Sequence, residues 1–170
     1  MSGLALAKTS RADEGVRTLE RAVAIVPASV EMATMLGIVL VHAGRHDEAL
    51  EAFQASSQLG LFQLDWAHEF TGNAHFFQHR FSDAIAAYER IVDPPSWIYA
   101  YLAACCAHDG DDEAAGRQVA AYQRSLIPEH GEQADLAHYM NEQVLDMNLY
   151  KRPEDTQLMI EGFRKAGLLE

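Results

Sequence analysis

The chain has 170 residues, 49% of them hydrophobic and 22% charged, a balance that suits one packed domain or a short repeat array and argues against disorder. Acidic residues outnumber basic ones by 25 to 13, giving a formal charge of -12, and each later stretch of the chain is net negative. Nucleic-acid affinity rests on Lys and Arg neutralising phosphates, and anionic bilayers attract the same residues, so both partner classes are disfavoured.

The segment MSGLALAKTSRADEG carries no basic stretch followed by an apolar core, and no apolar run approaches the ~18 residues of a membrane helix. A soluble cytoplasmic protein without a cofactor is expected. The first predicted helix pair is truncated. Repeat spacing places Gly3 where later units have Gly37, so the chain starts about halfway through the first helix of its first unit. Either the chain is cut from something longer, or that edge is covered by a partner or by self-association with a second copy.

Four segments then align: SRADEGVRTLERAVAIVP, GRHDEALEAFQASSQLGL, HRFSDAIAAYERIVDPPS and GDDEAAGRQVAAYQRSLIP. A small residue recurs at Gly15, Ala49, Ala84 and Ala115, with a large one four later at Leu19, Phe53, Tyr88 and Val119. The fourth turn is shorter, which leaves Ala114 as an alternative to Ala115. A second small series, Gly37, Gly72 and Ala103, lies on the helix before each segment, and Pro27, Pro94/Pro95 and Pro128 stand near the ends. Each unit is predicted to be two amphipathic helices, with units at about 1–29, 30–64, 65–95 and 96–128. Small residues at the crossings let backbones approach, and stacking buries an apolar stripe that one hairpin cannot cover.

Residues 129–170 are predicted to form two capping helices and a tail. In EQADLAHYMNEQVLDMN, Leu136, Tyr139, Met140, Val144 and Met147 share one face and would close the exposed end of the last unit. The final helix starts at Pro153, has Glu154 and Asp155 in its first turn and Arg164 and Lys165 in its last, and stops at Gly167.

The repeat spacing, with its small residues and prolines, resembles the tetratricopeptide (TPR) repeat, which implies an all-α right-handed solenoid acting as a protein-protein interaction module. The tail Glu161, Gly162, Arg164, Lys165, Ala166, Gly167, Leu168, together with the Pro-Pro-x-Trp turn at 94–97, resembles the closing region of bacterial class III adenylate cyclase-related proteins. That resemblance implies a regulatory or scaffolding end. No residue corresponds to the cyclase domain, so no catalytic residue is carried over. The alternative is part of an adenylate cyclase whose catalytic domain lies upstream.

Ligands of tetratricopeptide solenoids lie in the concave groove along the first helix of each hairpin. The register places Glu31, Thr34, Ile38 and His42 there in the second unit, and Trp66, Glu69, Asn73, Phe76 and Phe77 in the third. The fourth contributes Trp97, Ala100, Ala104 and His108. The set is aromatic and histidine-rich and lacks a Lys/Arg clamp for a terminal carboxylate, so an apolar or basic peptide, or a helix, fits better than an acidic tail. Trp66 and Trp97 are equivalent positions, read either as paired anchors or as packing residues.

The pairs His42/His46 and His75/His79 have the i,i+4 spacing of metal ligands, but the second member of each falls in a turn and no Cys or Glu completes a site. His42 and His108, at one groove position, would make binding pH-sensitive near the ordinary histidine pKa. Adjacent Cys105 and Cys106 read as small core residues of a reducing compartment, with a redox or metal role as the alternative. Asp109, Asp111, Asp112 and Glu113 suit a helix start rather than a calcium loop.

Overall fold

A computed structural model describes residues 3–60, 65–131, 136–140 and 150–170. Among the described residues every regular element is helical: α1 (Gly3–Ile25), α2 (Val30–His42), α3 (His46–Leu59), α4 (Asp65–Phe77), α5 (Phe81–Tyr88), α6 (Ser96–His108), α7 (Asp112–His130), α8 (Leu136–Met140) and α9 (Pro153–Lys165). None of them is long and apolar enough to cross a membrane.

Helices α2/α3, α4/α5 and α6/α7 are antiparallel hairpins, and consecutive hairpins stack so that α2 meets α4 and α5 meets α6. The turn inside each hairpin places one residue in the left-handed region: Gly44 (φ 77°), His79 (φ 58°) and Gly110 (φ 79°). Glycine accepts that conformation without a Cβ penalty, and histidine is among the residues enriched there. Four residues into each second helix from its cap, at Arg45, Arg80 and Asp111, come Ala49, Ala84 and Ala115, all buried. Ala115 is therefore the crossing residue of the fourth unit, and Ala114 is half-buried beside it.

The small series on the first helices has a steric cause. A β-carbon on Gly37 would stand 2.5 Å from the Phe53 ring, and one on Gly72 would collide with the Tyr88 ring. Each aromatic ring lies directly on bare helix backbone. In the last hairpin Ala103 replaces glycine and the residue opposite shrinks to Val119, which is only partly buried; the large buried ring of α7 is Tyr122, three positions later.

Two expectations fail locally. The first unit is not a half-helix, turn and second helix, because α1 is continuous from Gly3 to Ile25. Ser10 occupies the position of Gly44 and Gly110, and a serine there does not favour the left-handed turn. Pro128 does not end α7, which continues to His130 before Gly131 (φ 78°) stops it. Pro128 has no N–H to offer the carbonyl of Arg124, so the last turn of α7 runs with one backbone bond fewer. Of the predicted helix over 132–148, Leu136–Met140 is described as α8, with Met140 buried, and Val144 and Met147 lie outside the described residues.

The final helix carries the predicted termini: Pro153 in the first turn with Glu154 and Asp155, and Arg164 and Lys165 in the last. Gly167 (φ 78°) closes it, with Leu168 N–H donating to Phe163 O at 2.8 Å and Gly167 N–H to Arg164 O at 3.0 Å, a glycine-centred C-cap. Its location is the unexpected feature. Helix α9 packs on α6 and, more lightly, on α4, which places it on the face of first helices and not over the end at α7.

Candidate functional site

The face formed by α2, α4 and α6 holds residues Tyr150–Leu168 of the same chain. The segment enters at the C-terminal end of α2, where Lys151 N–H donates to His42 O at 2.8 Å and Lys151 Nζ meets both Asp13 carboxylate oxygens at 3.0 Å. Arg152 crosses Gly44 so closely that its side chain occupies the space of a Cβ there. The segment then runs toward α6 as helix α9, which buries Leu158, Met159 and Phe163, and Leu168 is buried just past its end.

Tyr150 lies at the centre of a buried polar chain. Tyr88 Oη donates to Asn73 Oδ1 at 2.6 Å, Asn73 Nδ2 donates to Tyr150 Oη at 3.2 Å, and Tyr101 Oη stands 3.4 Å from Tyr150 Oη and donates to Met159 Sδ at 3.1 Å. Burial raises the pKa of Tyr88, Tyr101 and Tyr150, so all three stay neutral donors. The Tyr150 ring also meets Phe77 edge-on at 4.5 Å and His42 at 5.2 Å.

Three histidines face the segment. His42 is largely buried between Tyr150 and Phe70, and desolvation lowers its pKa to about 4. His46, the first residue of α3, donates from Nε2 to Asp155 Oδ2 at 2.9 Å, both side chains being almost fully buried. His108 Nε2–H donates to Leu158 O at 3.2 Å while its Nδ1 accepts from Lys165 Nζ at 3.3 Å. Only the neutral Nε2–H tautomer satisfies both bonds. The His108 ring stacks on Phe81 at 4.6 Å, and burial lowers its pKa. The expected titration of His42 and His108 near the ordinary value is thus corrected: both are pushed below it by desolvation.

The predicted groove residues separate into three groups. His42, Asn73, Phe77, Ala104 and His108 lie under the segment; a β-carbon on Gly162 would stand 2.8 Å from Ala104 Cβ. Thr34 turns to α3, where its hydroxyl stands 2.6 Å from Ser56 Oγ, and Phe76 is sealed among Phe77, Phe81 and Tyr101. Ala100 is also fully buried. Glu31 is exposed, and Ile38, Trp66, Glu69 and Trp97 are half-buried. Trp97 Nε1 donates to Glu69 Oε1 at 3.1 Å, a bond that opposes the rise that burial gives the Glu69 pKa. Trp97 also lines a cavity of about 530 Å³ with Pro94, Pro95 and Tyr99.

Sequence reasoning missed His46, Tyr150, Asp155 and Met159 as interface residues. The readable signal was Gly162, a glycine within a helix, where it costs ~1 kcal/mol relative to alanine unless something must approach closely. Cys105 and Cys106 are free and buried, with both thiols raised by desolvation. Among the described residues no group of three His, Cys, Asp or Glu side chains is placed to hold a metal.

The tetratricopeptide repeat family model matches residues 1–59, which cover α1 to α3. The same hairpin geometry continues through α7. The fold is a helical repeat of the tetratricopeptide type. No curated protein matches the sequence. Tetratricopeptide repeats are protein-interaction scaffolds, and the chain is read as an interaction module on that basis.

Proposed function

We propose that the face of first helices is a binding groove that takes a peptide or a helix from another protein. The observation that carries this reading is the groove's present content. It accommodates an extended Tyr-Lys-Arg stretch followed by an amphipathic helix, with polar partners for backbone and side chains along its length. The occupant also fits the expected ligand chemistry, since it enters with two basic residues and buries apolar ones. Trp66 and Trp97, in the N-terminal halves of α4 and α6, are the aromatic anchors of the part that the segment leaves half-exposed.

The tail's resemblance to adenylate cyclase-related proteins supports a regulatory or scaffolding place in such a protein. Coding sequence running in frame upstream of Met1 into a cyclase domain is the observation that would establish it.

The groove reading is tested by panning a displayed peptide library against the full chain. Selected peptides are expected to be apolar or basic, and a Trp66→Ala/Trp97→Ala variant that keeps its helical circular dichroism should lose them. Undiminished binding by that variant refutes the assignment of the tryptophans as anchors. Recovery of acidic C-terminal peptides overturns the ligand class.

A further inference from the structure

We propose that Tyr150–Leu168 is a built-in competitor for the groove, and that the partner is an amphipathic helix of the same pattern that binds by displacing it. This rests on the groove reading above and names the ligand's chemistry.

The pattern can be written from the contacts. An aromatic residue precedes the helix and reaches Asn73; a carboxylate in the first helical turn, here Asp155, pairs with His46. Leucine and methionine follow three and four positions later, with Met159 against Tyr101. Then comes glycine, pressed on Ala104 and His108, and phenylalanine, whose ring lies 5.5 Å from that of Tyr101. Asp155, Leu158, Met159 and Gly162 recur at intervals of three and four, the spacing by which one helix face is recognised.

Two features make the contact displaceable. The groove surface under the segment mixes apolar core residues such as Tyr101 and Ala104 with polar groups, His42, Asn73, His46 and His108 all meeting it. A permanent core would leave those groups unsatisfied when opened only if water could not reach them; on this face, release returns them to solvent, so the open groove carries no stranded donors. In addition, the hairpins α2/α3, α4/α5 and α6/α7 each close on themselves and on their neighbours through contacts that do not involve α9. Undocking therefore removes a layer without dismantling a hairpin.

The test compares the full chain with its Gly162→Leu variant, which pushes α9 away from Ala104 and His108 and leaves every groove residue unchanged. The probe is a fluorescein-labelled peptide of residues 150–170, read by anisotropy. The variant is expected to bind the peptide at least about tenfold more tightly than the unmodified chain, and peptide carrying Asp155→Ala or Phe163→Ala should bind the variant about tenfold more weakly than the parent peptide. Equal binding by both chains, or no binding by a variant that keeps its helical spectrum, overturns the proposal. Loss of the helical spectrum in the variant also overturns it, because the segment is then part of the core. If library peptides bind the unmodified chain while α9 amides remain protected from hydrogen exchange, the competitor idea falls and the groove reading stands.

Discussion

Acidification should loosen the docked tail, and His42 sets how much. In the docked state its ring is held between Tyr150 and Phe70 with a pKa of about 4, and in the undocked state the Tyr150 side of that cage is gone and the ring moves toward the ordinary 6.5. Above pH 6.5 both states hold a neutral ring and docking is independent of this group. As pH falls below 6.5 the released state takes up a proton that the docked state does not, so the equilibrium shifts to release until the docked pKa is reached. Integrated to pH 5 this amounts to about 2 kcal/mol, roughly 30-fold in the docking equilibrium, as an upper value because Phe70 still covers one face after release.

His108 acts in the same direction, since an imidazolium there would confront Lys165 and lose the acceptor at Nδ1; His79 adds to the repulsion and Glu161 opposes it. The assay is hydrogen exchange of the α9 amides at about pH 7 and 5, corrected for intrinsic rates, in the unmodified chain and in His42→Gln. Protection should fall with pH in the former and fall much less in the variant. Equal pH dependence in the two chains would refute the role given to His42.

Removing the carboxylate in Asp155→Ala strands the buried His46 nitrogen and should cost about 1–3 kcal/mol, seen as a drop of roughly 2–12 °C in the thermal midpoint; no measurable change would show that the pair is not buried in solution. In the α2/α3 hairpin, Gly37→Ala should destabilise by about 1–3 kcal/mol through collision with Phe53, and Phe53→Val in the same chain should relieve part of it. That couples the two sites by about 1 kcal/mol in a denaturation cycle, with additive effects refuting the packing argument.

The hairpins were legible because their constraints are local. A left-handed turn residue, an alanine four positions past the cap and a glycine under an aromatic ring are all fixed by neighbours close in sequence or one helix away. Where a local requirement is missing, the reading failed for the same reason: Ser10 offers no left-handed turn, so α1 runs straight through. The ends of α9 were legible from Pro153, the acidic first turn and Gly167. Its position was not, because an amphipathic stripe states that a face is buried and not against what. A solenoid offers two apolar surfaces to such a helix, its end and its groove. Asp155 illustrates the ambiguity: in sequence it is one more acidic residue at a helix N-terminus, and only the fold brings it to His46, 109 positions away.

The docked segment also changes the mechanics of the array. In a repeat protein each hairpin contacts only its neighbours, so stability is close to a sum of nearest-neighbour terms and either end can fray alone. Here Lys151 reaches Asp13 of α1 and His42 of α2, Asp155 reaches α3, Tyr150 reaches α4, and Leu158, Met159 and Gly162 reach α6. One segment of nineteen residues thus ties the first helix to the last hairpin. While it is bound, fraying of α1/α2 must break tail contacts that α6 also depends on, and the two ends become coupled. A partner that displaces the segment without bridging the same span would uncouple them, so binding at the groove should be felt as a loss of unfolding cooperativity between α1/α2 and α6/α7 even where no helix moves.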